Sequence, residues 1–579
     1  MQFFSEKFRR TMKTNYTERA VRIIAAHPYL CAFLVCVGLN PFFFGSVENI
    51  PNNVLEIIAF LISGFLSVVL IKKYKTGELS RLRSVFIGIC SFVILLCLMN
   101  LFSGSEYKSL WYLTGGCITV FLLYCFSDRK TFREQMNAFL ILGTGFMMKL
   151  YYVLETSVYT RQHDVYVFDG NIGHAGYIEY IIQNFNVADF DIRERWQFCH
   201  PPLHHILSAA WIYINENFFL VGHSQARESI QMLTLFYSMC IIISAYKIFR
   251  YFGLKGKALY IPLAVVSFHP AFIIFSGSIN NDVLSAAFMM GAFLCALNWY
   301  REQSMKNILK TALCTGLGMM TKLTAALVAP PVAVIFAVVF FKNLKTDFRK
   351  LLIQFTAFLL VCAPLGLWYE IRNYVKWGVP LLYVQELDPR LLQYIGNQDF
   401  ISRITDFSVG QFKSVFEQWA VWHDDTCTVS GYNEFNPLIA LFKTSLFGEY
   451  INEAVLNNNL FIIKVSEILF WLTVIMAAVS LICMVMMFSG ERKTEKAAVV
   501  VFFFCMIFNF YKMSYDYPFT CTMNFRYITP TVFTGALCSG IVLSRYEGRK
   551  RFAGYISEAA AAVFVFCTVI IYTGLCITE

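Results

Sequence analysis

The sequence predicts an all-α polytopic membrane protein with about 15 transmembrane helices. Of its 579 residues, 57% are hydrophobic and 15% charged, and the mean hydropathy is +0.55, far from the balance of a soluble domain. Apolar runs long enough to cross a bilayer, roughly 17 to 25 residues each, recur along the whole chain. Lysine and arginine gather in every second loop between those runs, as loop charges that set orientation do. The formal net charge of +10 is therefore a topology signal, and no nucleic-acid partner is expected.

The runs lie near 28–47, 54–71, 84–103, 110–126 and 136–155, then near 228–249, 258–277, 283–300, 307–321, 324–341 and 351–370, and finally near 461–488, 497–512, 527–544 and 556–576. Basic clusters begin with Lys72, Lys73, Lys75, Arg81 and Arg83, continue through Lys247, Arg250, Lys255 and Lys257, and end with Arg545, Arg549, Lys550 and Arg551. The N-terminal stretch is itself basic and leads into an apolar run without a small-residue cleavage site, so an uncleaved first span and a cytoplasmic N-terminus are expected. The C-terminus then falls outside, in a multi-pass protein of the plasma membrane.

The alternation of basic loops holds only if 156–227 is one external loop, although it contains the apolar segment LHHILSAAWIYINENFFLVG. That segment is expected to be a helix lying in the interface. GYIEYIIQNF carries Ile178, Ile181, Ile182 and Phe185 at helical spacing and is expected to lie flat on the membrane as well. A second external piece spans 372–460. The chain accordingly divides into 1–135, 136–371, 372–460 and 461–579. Most of the 18 cysteines sit within apolar runs and act as small hydrophobes, and no CxxC pair or zinc spacing occurs.

Polar residues able to do chemistry collect at one side of the predicted membrane. His163, Asp164, Asp169 and His174 follow the fifth span, and His200, His204 and His205 surround Pro201-Pro202. Asp282 lies in SINNDVLSAAF, Lys322 in GMMTKLT, Arg372 in EIRNYVKWGVP and Arg526 in NFRYITP. An enzyme whose substrate is dissolved in the bilayer needs its reactive groups at headgroup depth, and this set provides them. Each residue also has a structural reading. Asn281 and Asp282 stand where a helix needs an N-cap. Lys322, between two apolar runs, either snorkels to the interface or meets an anion. Arg372 and Arg526 flank spans and can anchor headgroups. The histidines raise the question of a metal, but no zinc-hydrolase arrangement of two histidines and a glutamate is present; no cofactor is assigned, and a structural divalent metal stays open.

The order of these motifs resembles the GT-C superfamily of membrane glycosyltransferases, in the branch that includes the lipid A aminoarabinose transferases and the protein O-mannosyltransferases. The resemblance runs over roughly 138–544, through the acidic loop at Asp164, HPPL, NNDVLSAAF, GLGMMTKLTAALVAPP, WYEIRNYVKWGVP and RYITP. It implies a GT-C-type core with interfacial helices in the first large external loop. It also implies transfer of a sugar, with inversion, from a polyprenyl-phosphate carrier to a glycan, lipid or protein acceptor at the external face. Asp164 matches the acidic loop position and is the candidate general base. Lys322 and Arg526 match positions that balance phosphate charge, Arg526 through its planar fork. His163, Asp169, His174, His200, Asp282 and Arg372 are candidate substrate-binding residues. Where family members often carry a second acidic residue beside the first, this chain has Val165, which leaves the shares of His163 and Asp169 open. The four N-terminal spans precede the resemblance. The rival reading is a transporter or flippase of a lipid-linked or small solute, which predicts ionisable groups near the midplane and a repeated half; neither is evident in the sequence.

Overall fold

The computed structural model describes residues 24–44, 108–126 and 129–577, apart from 392, 414, 417–420, 424–428, 433, 450, 452–454, 457 and 547–550. The expected spans at 54–71 and 84–103 lie outside the described residues. Among the described residues the fold is helical, with one short antiparallel pair, Val421–His423 with Val429–Tyr432, in the 372–460 piece.

The helices that frame the site are α1 (Pro28–Phe44), α2 (Lys108–Phe126), α3 (Arg129–Glu155), α4 (Gly173–Asn184), α5 (Leu203–Asn217), α6 (Ile230–Tyr251), α7 (Gly256–Phe268), α8 (Pro270–Gly277), α9 (Asp282–Arg301) and α10 (Met305–Thr321). They continue with α11 (Ala329–Lys342), α12 (Phe348–Trp377), α13 (Pro437–Phe447), α14 (Leu460–Met486), α15 (Lys493–Asp516), α16 (Pro530–Tyr546) and α17 (Arg551–Ile577). Among the described residues, 8 helices are long and apolar enough to cross a membrane, or up to 10 if each bent pair is one span, which does not confirm the expected count of about 15. The expected span at 258–277 is broken, since α7 and α8 meet at 44°, and the one at 527–544 starts at a 49° bend between the 520–528 segment and α16. In each case a proline opens the second helix, Pro270 or Pro530, and a ring without an N–H cannot continue the ladder of the helix before it. The apolar runs at 28–47 and 307–321 become helices of 17 residues, and α10 is packed between α9 and α12.

The core is the contact zone of α6 with α8 and α9, joined by α15 and α16; Phe249, Phe293, Trp299, Phe502 and Phe533 are fully buried there. α1 docks on this core. Tyr29 Oη lies 2.9 Å from Ser244 Oγ on α6, and Asn40 hydrogen-bonds Asn215 at the end of α5.

The two helices expected at the interface differ. α5 forms where Pro201-Pro202 start it, with His204, His205 and Ile212 buried on one face and Leu207, Tyr213 and Ile214 exposed on the other. α4 does not offer its apolar face outward. Tyr177, Ile178 and Ile181 are buried, because α4 pairs with α5 and covers the core, and Phe185 beyond its end is the exposed apolar residue.

Candidate active site

The loop that leaves α3 is fastened at its first turn. The Ser157 hydroxyl and the Val158 N–H donate to Glu228 at 3.0 and 2.9 Å. Beyond it, Arg161, Asp164 and Tyr166 all take positive φ, at 52°, 59° and 58°. Such left-handed geometry is unfavourable for a residue with a Cβ and persists only where neighbours enforce it. Part of the enforcement comes from α4, whose first N–H groups have no side-chain cap. They bond backward instead, His174 N–H to the Asp164 carbonyl at 2.9 Å and Ala175 N–H to the Val165 carbonyl at 3.0 Å.

Three distant segments converge on Asp164. Asp282 opens α9, where the helix dipole favours a carboxylate. Asn281 and Asp282 do not cap α9 through their side chains: Asn281 Nδ2 reaches the Thr321 carbonyl at 3.1 Å, and Asp282 turns its carboxylate to Lys322. Lys322 lies at the break between α10 and the 3-10 turn Leu323–Val328, and its Nζ is 2.5 Å from Asp282 Oδ1 and 4.9 Å from the Tyr527 ring centre. Arg526 stands in the 3-10 turn Phe525–Ile528, held by the Asn524 side chain, which accepts its N–H at 2.9 Å. Its guanidinium spans both carboxylates, with Nη2 at 3.1 Å from Asp164 Oδ2 and Nη1 at 3.8 Å from Asp282 Oδ2. Nη2 also donates to Tyr527 Oη at 2.8 Å, while Nε is buried without a hydrogen-bond partner.

Two carboxylates and two cations therefore form one network, and they differ in access. The Asp164 side chain is 32% exposed, against 5% for Asp282, 12% for Lys322 and 9% for Arg526. Burial pushes the Asp164 carboxyl up, but Arg526, aided by His163 and Lys322, outweighs it and holds the group below the ordinary carboxylate range. Asp164 thus stands ionised at neutral pH, with an oxygen open to a hydrogen-bond donor.

The remaining predicted residues are placed differently. His163 is buried beside the network, its Nδ1 2.7 Å from Glu449 Oε2. Asp169 is exposed and makes no side-chain hydrogen bond to the network. His174 Nδ1 meets His205 Nε2 at 2.9 Å, and the His174 ring stacks with those of His200 and His205. Burial pushes His174 and His205 well below the usual imidazole value and His200 down to about 3. His204 Nε2–H donates to the Ile279 carbonyl at 2.7 Å, which ties α5 to the linker before Asp282. Among the described residues no group of three or more His, Cys, Asp or Glu side chains is placed to hold a metal ion. Arg372 does not join the network: it donates to the Ala188 carbonyl at 2.7 Å and to Asp189 at 3.0 Å, anchoring the loop after α4.

Sequence reasoning missed Gln162, Glu449, Asn524 and Tyr527. Asn524 and Tyr527 flank Arg526 in the same motif. Glu449 follows Gly448, which ends α13 with φ 62°, and nothing in its local sequence pairs it with His163.

Residues 200–368 match the family model described as dolichyl-phosphate-mannose-protein mannosyltransferase, a segment that holds His200, Asp282 and Lys322 and ends before Arg372. No curated protein matches the chain. Among solved structures, the chain is similar to the archaeal oligosaccharyltransferase AglB from Archaeoglobus fulgidus, in complex with an inhibitory peptide and a dolichol-phosphate, at 13% identity and a TM-score of 0.41. That similarity covers 77% of this chain and 56% of the other, so the chain spans just over half the length of that structure. Residues 200–368 are thus similar to that mannosyltransferase family, in the stretch where the chain carries HPPL, NNDVLSAAF and GLGMMTKLTAALVAPP.

Proposed function

We propose that the protein transfers a sugar from a polyprenyl-phosphate carrier to an acceptor hydroxyl at the external face of the membrane, with Asp164 as general base. The observation that carries this reading is the graded access of the network: an ionised, partly exposed Asp164 backed by the buried Arg526, Lys322 and Asp282. The acceptor oxygen attacks the anomeric carbon as the bond from that carbon to the carrier phosphate breaks, and the bonding electrons leave on the phosphate oxygen. The acceptor proton passes to Asp164. A phosphate leaving group is stable as an anion and needs positive charge and fixed dipoles, not a proton. Lys322 and the guanidinium of Arg526 supply the charge. Attack opposite the leaving group inverts the anomeric centre. The 372–460 piece, which joins the site through Glu449 and the Ile395 N–H bond to the Pro518 carbonyl, contributes to acceptor recognition. In this reading no metal takes part, the N-terminus is cytoplasmic, and the C-terminus lies outside.

The test is Asp164→Asn in lipid nanodiscs, supplied with a radiolabelled polyprenyl-phosphate sugar and a native membrane extract as acceptor. Loss of about 100-fold or more in transfer is expected from removing a general base. A folded, inserted variant that transfers at the parental rate overturns the assignment, and movement of the lipid without bond cleavage by the parental protein supports the transport reading instead.

A further inference from the structure

The loop that carries Asp164 is strained and is held from two sides. Arg161, Asp164 and Tyr166 are left-handed within six residues, so the carboxylate stays where it is only because the residues between them are pinned. Gln162 is pinned at both ends of its amide: Nε2 donates to the Gly277 carbonyl at 2.7 Å, and Oε1 accepts from Ile279 N–H at 3.1 Å. His163 is pinned on the other side, with Nδ1 2.7 Å from Glu449 Oε2. Glu449 Oε2 also accepts from Asn524 Nδ2 at 3.3 Å, and Asn524 Oδ1 holds the Arg526 N–H. Both side chains of the pair are nearly enclosed, at 9% and 5% exposure, so water offers little competition for the bond.

The two anchors are not arbitrary. Gly277 ends α8 and Ile279 lies in the linker that leads into Asp282, and Asn524 and Glu449 seat the turn that carries Arg526. The strained loop is therefore fastened to the stretch that leads into Asp282 and, through Glu449 and Asn524, to the turn that carries Arg526.

We propose that Gln162 and the His163–Glu449 pair are positioning residues that clamp the strained loop so that the Asp164 carboxylate faces Arg526 and the incoming acceptor. The proposal rests on the reading of Asp164 as the base. It removes His163 from the substrate-binding set and makes Glu449, contributed by the external piece, part of the catalytic apparatus without contact with substrate. The clamp sets the geometry of proton transfer more than the affinity for donor, because its three side chains fix the loop that carries Asp164.

Steady-state transfer by full-length protein in nanodiscs tests this, with kcat and donor KM measured separately and folding followed by thermal melting. Glu449→Ala and His163→Ala are expected to lower kcat about 100-fold, the cost of a displacement near 1 Å at the reacting group, with donor KM changed less than about twofold. Glu449→Gln, whose amide oxygen still accepts from Nδ1–H, and His163→Asn, whose amide N–H takes the place of Nδ1–H, are expected to recover at least about tenfold of that loss. Gln162→Ala is expected to show the same loss in kcat without a change in KM. If an alanine variant does not fold, the comparison of His163→Asn and Gln162→Ala with the parent decides the question. Parental kcat in the folded alanine variants, or a loss that falls on KM, overturns the clamp. Asp164→Asn measured alongside separates the two claims: if it is inactive while the clamp variants keep parental kcat, only the clamp fails, and if it transfers at the parental rate, the base assignment fails and the clamp with it.

Discussion

Lys322→Met tests whether the lysine serves the carrier phosphate or only Asp282. The methionine keeps an unbranched side chain and removes the charge. In the structure Lys322 Nζ is 2.5 Å from Asp282 Oδ1, and the next cation, Arg526 Nη1, is 3.8 Å from Oδ2. Opposite charges at such a separation attract by about 7 kcal/mol at an effective dielectric near 20, most of it offset by the desolvation of both groups. Breaking a buried pair from one side strands the other charge, and a loss of about 3–5 kcal/mol is expected. Asp282→Asn strands Lys322 and should cost a similar amount of stability. The double variant Lys322→Met/Asp282→Asn strands neither and should regain most of it, since the two residues act on one interaction. The transfer rate should not follow. If Lys322 balances the departing phosphate, kcat stays about 10²–10³-fold down in the double variant, the usual effect of losing one preorganised electrostatic contact. Thermal melting in nanodiscs reads the stability and single-turnover release of polyprenyl phosphate reads the chemistry. A double variant that melts like the parent and turns over at the parental rate would refute the phosphate role, leaving Lys322 as the partner of Asp282.

Two further outcomes are expected. Because Arg526 outweighs the upward push of burial on Asp164, the ionised form and its contribution to stability persist above the unfolded value of about 3.9 and are lost only as pH falls through the lower folded value. Infrared titration with Asp164→Asn as the subtraction should show no Asp164 carboxyl protonation between about pH 7 and 5, whereas Arg526→Gln should move it upward; an unmoved band in Arg526→Gln contradicts the account. His204, fully buried and pushed down to about 4, must remain neutral in the folded state while the unfolded imidazole takes up a proton below about 6.5. As pH falls across that window His204 alone should remove up to about 1.4 kcal/mol of stability per unit, on top of the like effect of the buried His174, His200 and His205, and His204→Gln, which keeps a donor for the Ile279 carbonyl, should reduce the slope of melting temperature against pH.

The charge network was largely legible in the sequence as a set of parts. Asp164, Asp282, Lys322 and Arg526 each stood out because an ionisable group beside an apolar run is costly unless it has a use. What could not be read was their pairing. Lys322 was expected to meet an anion, but that the anion is Asp282, with Arg526 bridging to Asp164, depends on the packing of α9, α10 and the 525–528 turn. The same limit applies to Arg372, which carries as good a local motif as Arg526 and yet spends its donors on the loop after α4.

The helices were legible in type and less so in extent. Apolar periodicity identifies a helix at 173–184 but does not say whether its apolar face meets lipid or protein, and here Tyr177 and Ile178 are buried against the core. Pro270 and Pro530 mark the breaks at α8 and α16, but the size of a bend depends on what the two halves pack against. Composition and the placement of lysine and arginine determined by themselves that this chain is a bundle of apolar helices with its reactive polar groups between them, since transfer free energy and loop charge act residue by residue. The partnership of His163 with Glu449, the left-handed turn at Asp164 and the sharing of Arg526 between two carboxylates were decided only by tertiary structure, because each depends on the distance between residues far apart in the chain, and no local pattern encodes that distance.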